Sequence, residues 1–132
     1  VIYLDSCILI YAIEHYGGLG DRARRALEGE TAAFAISPLV AHEALVMPLR
    51  RADETLIEEY GRFFSDCALL PHGLDDYVRA AELRAQTPGL TTIDALHLAT
   101  AQLAGCTALW TNDRRLAAAA GDFAVDIVGP AG

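Results

Sequence analysis

The feature that most constrains this chain is a regular exchange between short apolar runs and longer segments with helical spacing. VIYL at residues 1–4 is a β-prone run ending at Asp5, and residues 6–15 then carry apolar side chains at helical intervals. Gly17, Gly18 and Gly20 break that pattern, and Asp21 reads as the N-cap of a helix reaching about Gly29. Ala32 to Ile36 is a second apolar run, followed by Ser37-Pro38, the pairing of an N-cap with proline at the first helical position. The helix it starts carries Leu39, Val40, Glu43, Leu45 and Val46, and Pro48 is expected to kink or end it. Asp53 starts a further helix with Leu56, Ile57, Tyr60, Phe63 and Phe64 on one face. Cys67 to Leu70 is a third short strand, and Asp75 opens a helix to about Gln86, stopped by Pro88-Gly89. Thr91 opens another, with Gly105 at its stop. Thr107 to Thr111, Asp113 to Ala120 and Phe123 to Val128 then read as strand, short helix and last strand. Most of the strands are continuously apolar, which means burial on both faces. The expectation is a single α/β domain over residues 1–132, with a mostly parallel central sheet of about five strands flanked by helices.

Composition narrows the function. At 132 residues and 53 % hydrophobic content the chain can bury one real core. No apolar run spans a membrane, and the first segment lacks the basic start and cleavage site of a signal peptide. The three cysteines, Cys7, Cys67 and Cys106, are far apart and form no CxxC pair, so a reduced, cytoplasmic setting fits best. Net charge is −8, and all ten basic residues are arginine. This sign argues against broad binding to nucleic acid. Two facts offset it: a metal would neutralise several acids, and arginine is well shaped for phosphate.

Four acids stand out. In an open parallel sheet, ligands bind beyond the carboxyl ends of the strands. Asp5 ends the first strand there, and Asp113 follows the fourth. Glu43 and Asp94 lie on helices among apolar neighbours, where an unpartnered charge is expensive. A hard divalent cation satisfies several carboxylates at once. Each acid also has a plainer reading. Asp5, and Asn112 or Asp113, suit helix caps, Thr91-x-x-Asp94 matches a capping box, and Glu43 suits a solvated face. The conjunction carries the argument. Competing motifs are incomplete. His42-Glu43 lacks the second histidine of HExxH, because Val46 stands there. The glycines at 17–20 follow a helix and lack the P-loop lysine, so a plain turn accounts for them. No nucleophile elbow is present. His97, one turn after Asp94 on an apolar face, reads as a hydrogen-bonded core residue that can also line the site. Arg22, Arg24 and Arg25, then Arg50 and Arg51, read as solvated helix faces, with contact to an RNA backbone as the alternative.

Four segments in order, YLDSCILIYAIE, SPLVAHEAL, TTIDALHLATA and LWTNDRRL, resemble the PIN-domain ribonucleases, and most closely the VapC-type toxins of toxin–antitoxin pairs. The resemblance implies a parallel sheet with the first strand central. It implies that Asp5, Glu43, Asp94 and Asp113 bind magnesium or manganese, with Ser6, Thr111 and Asn112 in support. It implies an RNA substrate, a small antitoxin that covers the site, and a homodimer. Some relatives carry a further acid where this chain has Leu116, which weakens the case for a tightly held second metal and leaves a second ion to enter with the substrate phosphate. Attack by water predicts a 5′-phosphate and a 3′-hydroxyl, whereas a 2′,3′-cyclic phosphate would contradict that mechanism. The alternatives are a PIN-like module that binds a partner without catalysis, and a metal-dependent phosphatase or DNA nuclease on the same acids.

Overall fold

A computed structural model describes residues 1–129. The elements run β1 (Ile2–Leu4), α1 (Ser6–Glu14), α2 (Gly18–Gly29), β2 (Phe34–Ile36), α3 (Pro38–Arg50), α4 (Glu54–Ser65), β3 (Ala68–Leu69), α5 (Leu74–Gln86), α6 (Thr92–Leu103), β4 (Ala108–Trp110), α7 (Arg114–Ala120) and β5 (Ala124–Val125), with a 3₁₀ turn at Gly121–Phe123 before β5. The five strands lie in the order β3-β2-β1-β4-β5, and every pairing is parallel. β1 is therefore central: Ile2 pairs with Phe34 on one side and with Ala108 on the other. The chain winds outward through β2 and β3, then crosses β1 to β4 and β5. The ends of β1 and β4 lie side by side at that reversal, where a crevice opens in this class of fold.

Helices on the sheet make β1 apolar at every position: Ile2, Tyr3 and Leu4 are all buried. The longest buried stretch is in α6, where Ala95 to Ala101 are buried without interruption. Ala95, Ala99 and Ala101 are small, which lets α6 pack closely while the bulkier Leu96 and Leu98 fill the core. α5 packs along α6, and α1 packs between α2 and α3, with Ile8 and Leu9 buried.

Several boundaries differ from expectation, each for a local reason. α2 begins at Gly18 with Gly17 as its cap, so Asp21 is not the cap but lies in the first turn, paired with Arg24 at 2.5 Å. The glycines are the entry to the helix, not merely a break: Gly17 and Gly18 hold φ of 73° and 49°, which side chains disfavour. Gly20 is needed for contact, since a Cβ there would lie 2.0 Å from the His15 carbonyl oxygen. Pro48 does not end α3, which continues to Arg50. The proline is buried near the last turn, so only one hydrogen bond is lost before the helix stops. α5 starts at Leu74, one residue before Asp75, because Asp76 Oδ2 accepts from the Gly73 N–H at 2.7 Å. The last strand shrinks to Ala124–Val125. Asp126 Oδ1 ends it by accepting from Val128 N and Gly129 N. β3 is short and exposed at the sheet edge, not a buried run.

Candidate metal centre

Backbone geometry brings the first acid into place. Asp5 leaves β1, hydrogen-bonds through its N–H to the Trp110 carbonyl of β4, and caps α1. Asp5 is only 7 % exposed, and both of its carboxylate oxygens are held. Oδ1 accepts from Ser6 N at 2.8 Å, and Oδ2 accepts from Thr111 Oγ1 at 2.6 Å. The Cys7 thiol approaches Oδ2 at 3.7 Å. Burial and the neighbouring carboxylate push that thiol up to about 12, so it stays protonated. Thr111 also accepts from Asp113 N at 3.0 Å, and so ties the loop after β4 to the acid after β1.

α3 and α6 form the opposite wall. Glu43 extends from α3, its side chain 34 % exposed, and its Oε1 lies 2.5 Å from His97 Nε2. The same nitrogen is 3.8 Å from Asp5 Oδ1. Asp5, Glu43 and His97 thus offer three ligand atoms within 4.8 Å of one another. Asp94 and Asp113 lie outside that triplet but line one open groove of about 560 Å³ with Glu43, Thr91, Arg114 and Arg115. Asp94 sits in the first turn of α6, where Thr91 Oγ1 accepts from its N–H at 3.1 Å, one half of the expected capping box. Burial raises the Asp94 carboxyl above the usual aspartate range, and the nearby charges of Asp113 and Asp5 add to the shift. Asp113 does cap α7: Oδ1 accepts from Arg115 N and Leu116 N, so Oδ2 takes no part in the cap.

The expected supporting residues divide. Ser6 contributes a backbone N–H and Thr111 a hydroxyl, both to Asp5. Asn112 touches none of the four acids through its side chain. Its Oδ1 accepts from Tyr11 Oη at 3.2 Å, its Nδ2 faces Asp126, and its backbone N–H points to Cys7 Sγ. Two residues that sequence reasoning passed over complete the site. Tyr3 Oη is 2.6 Å from His97 Nδ1 and 2.7 Å from Ser37 Oγ, all of them buried. The signal was present. Tyr3 is two positions before Asp5 and so shares its side of the strand, and His97 is one turn after Asp94. His97 is thus both the core residue and the site residue that the sequence left open.

The direction of this hydrogen-bond chain follows from charge. A carboxylate oxygen of Glu43 accepts, which takes a proton on His97 Nε2; with Nδ1 bare, Tyr3 Oη donates to it and accepts in turn from Ser37 Oγ. Burial drives the Tyr3 phenol far above its ordinary value, so it keeps its proton and serves as donor and acceptor together.

The charge of the cluster is not balanced by arginine. Ion pairs of arginine among the described residues join Arg24 to Asp21 and Arg79 to Glu82, away from the groove. Carboxylate oxygens and one imidazole nitrogen, close together and uncompensated, form a donor set that fits a divalent cation. The solvated-face reading of the first arginine group needs correction. Arg24 donates to the Ala12 and His15 carbonyls at the end of α1, and Arg22 donates to the Val128 carbonyl. Both are half-buried fasteners between segments.

The sequence profile of the PIN domain matches residues 2–122. No curated protein matches the chain at a significant level. Among solved structures, a toxin–antitoxin complex from Klebsiella pneumoniae superposes with a TM-score of 0.79 at 25 % identity, covering 96 % of this chain and 97 % of that one. VapC20 of Mycobacterium tuberculosis, described as a sarcin-ricin loop cleaving toxin, gives 0.76 at 16 % identity over 90 % and 95 % of the two chains. FitAcB of Neisseria gonorrhoeae gives 0.78 at 17 % identity over 98 % and 100 %. With the profile spanning nearly the whole fold and its acids gathered beside the central strand, this chain belongs to the PIN-domain family.

Proposed function

We propose that the chain is a divalent-metal-dependent endoribonuclease and the toxin of a type II toxin–antitoxin pair, acting in the cytoplasm with magnesium or manganese. The observation that carries this reading is the uncompensated cluster of Asp5, Glu43 and His97 beside Asp94 and Asp113, at the mouth of a groove rimmed by Arg114 and Arg115. The matched VapC20 is described as a toxin that cleaves the sarcin-ricin loop, and the Klebsiella match comes from a toxin–antitoxin complex, which supports the choice of RNA and of an antitoxin partner. A second copy of the chain as partner follows only from family resemblance.

The residues divide the work. Asp5, Glu43, Asp94 and Asp113 are the proposed metal-binding acids. Thr111 and the Ser6 N–H fix Asp5 so that its lone pairs need no reorganisation. Asp113 joins the groove from the start of α7 while its other oxygen holds the helix. Arg114 and Arg115 present the only arginine charge lining the groove among the described residues, which suits a phosphate otherwise repelled by so many acids. A bound divalent ion supplies positive charge to the phosphodiester and acidifies water. Attack by water on phosphorus with the 3′-oxygen as leaving group would then give a 5′-phosphate and a 3′-hydroxyl.

Cleavage of total RNA with magnesium or manganese, beside Asp5→Ala and Asp94→Ala and with the ends mapped, tests the reading. Loss in both variants with 5′-phosphate ends in the parent supports it. Retained cleavage in both variants, or cyclic phosphate ends, refutes it. Parallel DNA and phosphomonoester substrates decide between RNA and the alternatives.

A further inference from the structure

We infer that His97 Nε2 is itself a ligand of the divalent ion at Asp5 and Glu43, and that this nitrogen tilts the site from magnesium toward manganese and the later transition metals. The inference rests on the metal-binding reading above and assigns a donor outside the four acids.

Three observations carry it. First, Nε2 reaches both carboxylates, 2.5 Å from Glu43 Oε1 and 3.8 Å from Asp5 Oδ1. A hydrogen bond to Glu43 alone would not require the second approach. Second, the ring is built in: it is 1 % exposed and meets the Tyr3 ring edge-on at 64°. Its nitrogen is thus placed before any ion arrives. Third, the far side of the ring carries the outer partner that a ligating histidine needs. Such a histidine usually donates its other N–H to a fixed acceptor. Here that group is Tyr3 Oη, backed by Ser37 Oγ.

The tyrosine matters because it works in both directions. Without metal, Tyr3 donates to Nδ1 and Nε2–H donates to Glu43. For Nε2 to offer its lone pair, the proton must reside on Nδ1. Nδ1–H then donates to Tyr3 Oη, whose own hydrogen turns to Ser37 Oγ. Neither Nδ1 nor the phenol is orphaned in either arrangement. A backbone carbonyl or a carboxylate in the place of Tyr3 would allow only one of these forms.

The choice of metal follows from the ligand. Magnesium favours oxygen donors and gives up its waters reluctantly, whereas affinity for imidazole rises from manganese along the transition series. Glu43, on a flexible and partly exposed side chain, is the member that can adjust around an ion.

Pulsed electron paramagnetic resonance of Mn2+ added to the chelator-stripped full chain tests this directly. Wild type should show ¹⁴N coupling that converts to ¹⁵N coupling when the protein is grown on ¹⁵N-histidine, a result that needs no variant to fold. The coupling should persist in His42→Ala and vanish in His97→Gln, with folding checked by circular dichroism. Calorimetry should show Mn2+ affinity falling about 10- to 100-fold in His97→Gln, and Mg2+ affinity falling less than about threefold. The side-chain amide of that variant keeps a donor for Glu43 while removing the imidazole lone pair. If His97→Gln keeps the wild-type ratio of manganese to magnesium affinity, His97 merely positions Glu43 and the inference fails. Bound Mn2+ without histidine coupling overturns this inference alone. Failure to bind either metal overturns the metal-dependent reading with it.

Discussion

Asp5 hangs from a strand paired on both sides, and each of its oxygens accepts a hydrogen bond from the protein. Glu43 and Asp94 face it from helices, and their carboxylates are more exposed. Glu43 leans on a single imidazole, and Asp94 is raised by burial and by Asp113. One wall of the groove is therefore preset and the other adjustable. The difference teaches how such an acidic site is held together: the deepest carboxylate is solvated by protein dipoles, while burial and the Asp113 charge shift Asp94 toward its protonated form.

Changes to the preset wall should cost the most. Asp5→Ala should lower RNA cleavage by at least about 10³-fold, as expected when one step loses its main electrostatic support. Its circular dichroism spectrum should be unchanged; cleavage within tenfold of wild type would break the comparison. Thr111→Val removes one bond to Asp5 and one to the Asp113 N–H. Activity should fall about 10- to 100-fold, as for other partners of metal-binding groups. Urea unfolding should report a loss of about 1–3 kcal/mol from the orphaned partners.

The adjustable wall should respond differently. Asp94→Asn should lower cleavage about 10²-fold, less than Asp5→Ala, yet stabilise the protein in chelator, seen as a higher urea midpoint at pH 7. The sign follows from linkage, because a folded carboxyl raised above its unfolded value holds its proton longer in the folded state. The resulting penalty is absent below the usual aspartate range, grows as pH climbs through it, and is complete above the raised value. The Asp94→Asn variant should flatten that part of the pH profile, and an unchanged profile would show that Asp94 is not under strain. The smallest effects belong to the arginines. Arg24→Ala should cost about 1 kcal/mol of stability through its lost carbonyl bonds and leave the salt dependence of RNA binding unaltered. Arg115→Ala should reduce the slope of affinity against salt by about one. The reverse pattern would place the RNA on α2 instead of the groove.

Legibility from sequence followed the same division. A mostly parallel sheet was readable because buried strands are continuous apolar runs, as in VIYL and TALWT, whereas the central place of the first strand came from the resemblance to PIN domains. Asp5 and Asp113 were readable because a strand end in such a sheet has a known side. Tyr3 and Ser37 were not picked out, because an apolar strand with a tyrosine and a serine before a proline look like core and cap. Only the tertiary fold shows that the Tyr3 hydroxyl meets His97, 94 positions away, and Ser37, 34 positions away. α2 was misplaced because Asp21 is a good cap by composition, whereas the close approach of α2 to His15 selects glycine instead.

That approach bears on which substitutions the fold can absorb. The carbonyl of His15 leaves no room for even one methyl group at position 20. If the proposed toxin function holds, a genetic screen for cells that survive expression of the chain should therefore collect Gly20 alleles together with those at the acids. The first set would be distinguished by vanishing from the lysate rather than by accumulating as inert protein.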